Sequence, residues 1–206
     1  MPAGTAAGRL LRALAPVLRR FGDRWYLFGA QAAIVWGRPR LTGDVDVTAF
    51  LEPEAPEPFV AAMSAAGFTL RVTDVDGFVE RTRVLPFLHT ETRLALDVVL
   101  GGPGPEEEFA RGAKLVDIEG TSVPVLAPEE LVVTKILAGR PKDIDDVRGI
   151  LQAQGRSFDA GRTRRLLRML EEALDQSDLV PAFDAQVASL ARRRQRLRSG
   201  RESEEE

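Results

Sequence analysis

The chain has 206 residues, 44% of them apolar and 29% charged, with a formal net charge of −3. This is the balance of an ordinary globular protein of one large or two small domains, and it argues against a surface built throughout for nucleic acid. The chain has no cysteine, which excludes disulfides and thiolate metal sites and fits a cytoplasmic setting.

Arg9, Arg12, Arg19 and Arg20 interrupt every apolar stretch of the N-terminus, so neither a signal peptide nor a membrane span can be drawn there. Leu10, Leu14, Val17, Leu18 and Phe21 instead recur at helical spacing and predict an amphipathic helix. "WYLFG" (25–29) reads as a buried strand ending in glycine. "AQAAIVWG" (30–37) reads as a helix stopped by Gly37 and the Arg38-Pro39 pair. In "LTGDVDVTAF" (41–50) the β-branched residues predict a second strand. Val45, Val47 and Ala49 share one side of it, and Asp44, Asp46 and Thr48 the other.

"EPEAPEP" (52–58) reads as a solvated, flexible loop, followed by a helix ending at Gly67. Residues 69–85 read as two strands around an Asp76-Gly77 turn, with His89 a surface or hairpin residue. A further strand follows in "TRLALDVVLGG" (92–102). This order predicts an α/β (α+β) domain with a mixed, partly antiparallel sheet flanked by helices. From about residue 125 four helical patterns follow, at 127–140, 142–155, 160–176 and 180–198. Pro128 suits a first helical turn, Gly139 and Gly155 suit C-terminal caps, and Phe183, Val187, Leu190 and Leu197 keep an apolar stripe. The expected organisation is residues 1–125, a helical domain over 126–199, and a disordered tail over 200–206.

Asp44 and Asp46, at i and i+2 of a strand, project their carboxylates to one place. Two anions so close need a shared proton or a cation between them. Oxygen donors without sulfur or imidazole favour a hard ion, Mg²⁺ or Mn²⁺. The spacing alone is weak, since Asp-x-Asp recurs at Asp74 and Asp76 and at Asp143 and Asp145. Two further features bear on it. Gly29 at a strand-to-helix junction lets backbone N–H groups approach a phosphate. Asp97, flanked by apolar residues in "LALDVVL", is either satisfied by an arginine or a third ligand.

Together, "FGA", "DVDV" and "LDV" resemble the nucleotidyltransferase superfamily of the DNA polymerase β type: Gly followed by Gly or Ser, a helix-length gap, Asp-x-Asp, then a third carboxylate on a later strand. "RPRLTGDVDV" and "APEELVVTKILAGRPKDIDDV" narrow this to a resemblance to the AbiEii-like minimal nucleotidyltransferases associated with toxin–antitoxin systems. The matching stretches are 25–50, 94–100 and 124–151. Ala30 stands where the pattern usually has Ser or Gly, and alanine brings no hydroxyl to a phosphate.

The resemblance implies a metal-dependent transfer of NMP from a nucleoside triphosphate, such as ATP, to an acceptor hydroxyl on tRNA, protein or a small molecule. Asp44, Asp46 and Asp97 would be the catalytic and metal residues. Gly29, Ala30, Arg40, Thr42, Lys135 and Asp143 would form the nucleotide and phosphate site, and an antitoxin is an implied partner. The alternative is a catalytically impaired protein of the same fold acting as a binding or antitoxin module, with Ala30 as the lesion.

On residue chemistry alone, Lys135 beside an apolar helix face either snorkels to solvent or reaches toward phosphate. Asp143 is also favourable simply as an acid at a helix start. Asp145 and Asp146 read as surface, and Arg38 and Arg40 as phosphate clamps or solvated loop. The arginine run at 191–198 either contacts RNA phosphate or forms a solvated helix face. Serine acyl chemistry is disfavoured because Gly-x-Ser-x-Gly is absent and the chain has a single histidine. A nucleotide-sugar glycosyltransferase would need a larger acceptor domain.

Overall fold

The protein is seen in a computed structural model that describes residues 4–52 and 56–202, with side chains as far as 193. Two compact units emerge, Met1–Ala32 with Arg40–Ala127, and Ala33–Pro39 with Pro128–Glu206. Residues 33–39, which the sequence reading kept in the N-terminal domain, group with the C-terminal helices.

The first unit begins with α1 (Ala6–Arg20), β1 (Trp25–Phe28) and the start of α2 (Gly29–Trp36). β2 (Asp44–Ala49), α3 (Pro56–Ala65), β3 (Phe68–Leu70), α4 (Val75–Thr82), β4 (Val84–His89) and β5 (Ala95–Leu100) follow. α5 (Pro105–Gly112), β6 (Lys114–Ile118) and β7 (Thr121–Val125) complete it. The strands form one mixed sheet in the order β3-β4-β5-β2-β1-β7-β6, in which the β2–β5 and β1–β7 pairs are parallel and the others antiparallel.

The core side of this sheet follows from the period-two alternation of its strands. Val45, Val47 and Ala49 of β2 are buried, in register with Leu96, Val98 and Leu100 of β5. Phe87 of β4 pairs with Leu96 and meets the ring of Phe59 on α3 at 6.3 Å. Leu10, Leu11, Leu14 and Leu18 of α1 are also buried, as their helical spacing predicts. Thr5 caps that helix by accepting from the Gly8 N–H at 3.0 Å.

Residues 75–82 correct the predicted hairpin. Asp74 accepts from the Gly77 N–H at 3.1 Å as an N-cap, and Arg83 closes the resulting helix in the left-handed conformation. The local cap thus outcompetes the Asp-Gly turn.

His89 does sit at the β4–β5 turn, but buried rather than on the surface, its ring 4.7 Å from that of Phe68 and its Nδ1 2.9 Å from the Thr92 hydroxyl. Burial holds its pKa below the usual value; Glu91 opposes the fall and Arg9 adds to it. The folded pKa lies below the unfolded one, so this contribution is complete above about pH 6.5 and is lost as pH falls through the folded value. His89→Gln, measured by thermal unfolding, is expected to flatten the decline in stability between about pH 7 and pH 5; an unchanged profile would refute the assignment.

The second unit holds α6 (Pro128–Ala138), α7 (Pro141–Gln154), a short 3₁₀ turn at Gly155–Ser157, α8 (Ala160–Leu174) and α9 (Leu179–Glu202). Pro141 opens α7 at its first turn. The end of α2 packs here: Gln154 donates to the Trp36 carbonyl at 2.8 Å, and a Cβ on Gly37 would sit 3.1 Å from the Ile150 nitrogen. Phe183 of α9 and Leu167 of α8 are fully buried. α9 runs to Glu202, past the expected start of a tail at 200. Residues 203–206, the loop residues 53–55, and the side chains of Leu197 and of the arginines beyond 193 lie outside the described residues.

Candidate active site

On the sheet face opposite the first unit's core, β2 presents Asp44, Asp46 and Thr48, the two acids half-buried and the threonine buried. The parallel pairing with β5 puts Asp97 directly beside Asp46. The antiparallel pairing with β1 puts Phe28 opposite Asp46 and Tyr26 opposite Thr48. Burial pushes the Tyr26 hydroxyl up to about 12, against a lowering hydrogen bond with Thr48, and Glu106 adds to the rise. A neutral phenol therefore lines the face beside the carboxylates. Thr42, in the loop before β2, donates its hydroxyl to Asp44 Oδ1 and fixes that carboxylate.

Gly29 follows Phe28 directly, at φ +64°. A Cβ there would overlap the Asp46 carboxylate, so a side chain is barred by both the backbone angle and the neighbour. The glycine brings the start of α2 against the acids. Ala30, the next residue, is buried. Arg40 is exposed, with Nη1 3.3 Å from the Leu41 carbonyl, while Arg38 bonds Gln152 in the second unit.

Asp97 has a partner that sequence reading did not name. Arg71, just past β3, donates through Nη2 to Asp97 Oδ1 and through Nε to the Phe87 carbonyl at 3.0 Å. Its backbone N–H donates to the Pro86 carbonyl at 2.9 Å. Only strand pairing brings Arg71 to Asp97, and no local pattern announces it.

In the second unit, Lys135 and Asp143 come together, and Asp146 joins them. The Lys135 ammonium donates to Asp143 Oδ1 at 2.9 Å and to Asp146 Oδ2 at 2.7 Å. All three are buried, which corrects the surface reading of Asp146 and the snorkelling reading of Lys135. The triphosphate role expected of Lys135 thus meets an ammonium already neutralised by two carboxylates. Arg140 Nε bonds the other oxygen of Asp143 at 2.5 Å. Glu130, fully buried, pairs with Arg162.

Among the described residues, no three carboxylate or imidazole groups are gathered closely enough to hold a metal ion. The Asp44–Asp46 pair nevertheless fits Mg²⁺ or Mn²⁺: both donors are oxygens on one strand face, and Mg²⁺ commonly takes one or two carboxylates with water and phosphate oxygens completing its shell. An apolar cavity of about 590 Å³, lined by Val60, Val79, Leu85 and Leu100, holds none of these residues. It opens on the other side of the sheet, since Leu85 pairs with Val98 and alternates with Asp97.

Comparison with solved structures gives the class of the fold, that of nucleotidyltransferases. A crystal structure of ANT(2″)-Ia in complex with adenylyl-2″-tobramycin matches with a TM-score of 0.57 and 16% identity, covering 82% of this chain and 98% of that one. A solution structure of the same antibiotic-resistance factor matches at 0.52 and 15%, covering 93% and 96%. An antigenic nucleotidyltransferase-like protein from Paracoccidioides brasiliensis matches at 0.50 and 15%, covering 89% and 95%.

The chain itself belongs to the AbiEii family, the nucleotidyl transferase toxins of type IV toxin–antitoxin systems, whose family model matches residues 9–203. It is therefore a nucleotidyltransferase. No curated protein matches the sequence. No helix among the described residues is long and apolar enough to cross a membrane.

Proposed function

We propose that this enzyme moves an NMP from a nucleoside triphosphate, ATP among the candidates, to an acceptor hydroxyl, with Mg²⁺ or Mn²⁺ held by Asp44 and Asp46 and, when it is available, Asp97. The observation that carries the reading is the register of β2 and β5, which lines three carboxylates along one sheet face beside the Gly29 junction. In the reaction the acceptor hydroxyl gives its proton to solvent water as its oxygen bonds the α-phosphorus. The bond from that phosphorus to the α–β bridging oxygen breaks, and pyrophosphate leaves. A bound divalent ion supplies charge neutralisation on the phosphates and a lowered pKa for the attacking hydroxyl.

The chain's own residues orient these groups. Thr42 aims Asp44, and Gly29 lets the start of α2 offer backbone N–H groups to the phosphates, with Ala30 contributing backbone alone. Arg40, at the mouth of β2, supplies positive charge for the triphosphate. Lys135 and Asp143 form a buried tie between α6 and α7. The acceptor is tRNA, protein or a small molecule; ANT(2″)-Ia, bound to adenylyl-2″-tobramycin, is a precedent for the last. The setting is the cytoplasm, with an antitoxin as the partner that the family suggests.

The test incubates the protein with each α-labelled nucleoside triphosphate, Mg²⁺ or Mn²⁺, total RNA and cell extract. Label is expected on an acceptor from at least one nucleotide and is expected to vanish with EDTA. Ala30 motivates the second reading, that of an impaired binding module. Under it, label would stay on the nucleotide in the native chain and move only in Ala30→Ser. Transfer that survives EDTA would overturn the metal assignment.

A further inference from the structure

Arg71 occupies the third carboxylate of the candidate site, and its attachment is lopsided. Two contacts hold it to the β4 backbone: Nε to the Phe87 carbonyl at 3.0 Å, and its own N–H to the Pro86 carbonyl at 2.9 Å. A single nitrogen, Nη2, reaches Asp97. The two side chains are 37% and 36% exposed, so water already reaches the pair and its separation uncovers no sealed charge. Asp97 is in register with Asp46, yet no three-carboxylate group forms among the described residues. The guanidinium bound to one oxygen of Asp97 supplies the positive charge there that a divalent ion would otherwise bring.

We propose that Arg71 is a displaceable counter-cation for Asp97: it neutralises this carboxylate while the metal is absent and releases it when the ion arrives, so that Arg71 sets the affinity of the site for metal. This rests on the reading of Asp44 and Asp46 as metal ligands. The exchange is small in structural terms, since Nη2 lets go while the Nε and backbone contacts keep the arginine on β4. It is also one ion pair for another, so Asp97 is never left beside Asp46 without a cation. A monocation held this close to a divalent site repels the incoming ion as well as occupying its ligand. Both effects lower affinity in the native chain.

The experiment is a Mn²⁺ titration without nucleotide, following free Mn²⁺ by electron paramagnetic resonance. Its variants are the native chain, Arg71→Met, Arg71→Gln, Arg71→Met/Asp97→Asn and Asp44→Asn/Asp46→Asn. Either neutral replacement of Arg71 is expected to tighten Mn²⁺ binding by about tenfold, the scale of removing one nearby unit charge. Arg71→Gln serves if Arg71→Met fails to fold, because its amide can still donate to the Phe87 carbonyl. Adding Asp97→Asn is expected to cancel the gain.

Mn²⁺ binding that needs Asp44 and Asp46 but is unchanged or weaker without Arg71 overturns this inference and leaves the metal site standing. A gain that persists in Arg71→Met/Asp97→Asn also overturns it, since Asp97 is then not the ligand released. Mn²⁺ binding that ignores Asp44 and Asp46, or its absence from every variant, overturns the inference and the metal reading together.

Discussion

Asp46→Asn is expected to reduce label transfer about a thousandfold, the scale seen when one preorganised charge contact is lost from an active site. The amide keeps the shape of the carboxylate, so the Gly29 junction and the Phe28–Asp46 register need not move. It loses the anion, which is what an ion or a phosphate-bound cation recognises. Stability is expected to hold or rise slightly, because Asp44 and Asp97 then lose a like-charged neighbour. A loss of turnover at unchanged melting temperature separates this outcome from misfolding. Undiminished labelling by a folded Asp46→Asn protein would remove the β2 pair from the chemistry.

The second large effect is one of stability. Lys135→Met removes the one ammonium shared by Asp143 and Asp146 and leaves two carboxylates buried together. Breaking a buried pair from one side costs about 3–5 kcal/mol. For a chain of this size that is a fall in melting temperature on the order of 10 °C near neutral pH. The pH dependence gives a sharper signature. Burial pushes the Asp143 carboxyl up, but the bonds from Arg140 and Lys135 outweigh it and hold the group below its usual value.

With the folded pKa below the unfolded one, the stabilisation is complete above the ordinary aspartate range near 4 and is lost as pH falls through the folded value. The gap between native and Lys135→Met proteins is therefore expected to narrow on acidification. Circular dichroism melts at neutral and acid pH measure it. A gap under about 1 kcal/mol at pH 7 would reduce the triad to the weight of a surface pair.

Much of the fold was legible because strands and helices write their burial at fixed periods. The alternation of β2 separated core valines from aspartates, and the leucine spacing of α1 marked its buried face. Segment 75–82 was misread because "TDVDG" offers two local solutions, a turn at Asp76-Gly77 and a cap from Asp74; the cap was decided by a single side-chain bond. The hairpin place of His89 was legible, and its surface reading failed for a different reason. What buries it is Phe68 on a neighbouring strand, and no window around residue 89 contains that ring.

The candidate site divides along the same line. Gly29, Asp44 and Asp46 lie within one short stretch, and their spacing could be read directly. Asp97 was legible as an acid in an apolar strand, and its two open readings included the arginine that the structure supplies. Which arginine it is depends on pairing between β3, β4 and β5. Lys135 and its two acids are separated by the α6–α7 turn, so their meeting depends on how two helices face each other. Spacing within either helix does not contain it.

The parallel pairing of β2 with β5 also has a consequence for the newborn chain. Asp46 and Asp97 become neighbours only after α3, β3, α4 and β4 have been synthesised and have crossed over, and β1 gains its second partner only when β7 arrives. Contacts so distant in sequence form late, because loop closure must precede them. A ribosome-bound fragment ending before β5 carries two of the three acids and no completed sheet. For a member of a toxin family, that order of assembly would complete the proposed site only once β5 has been translated.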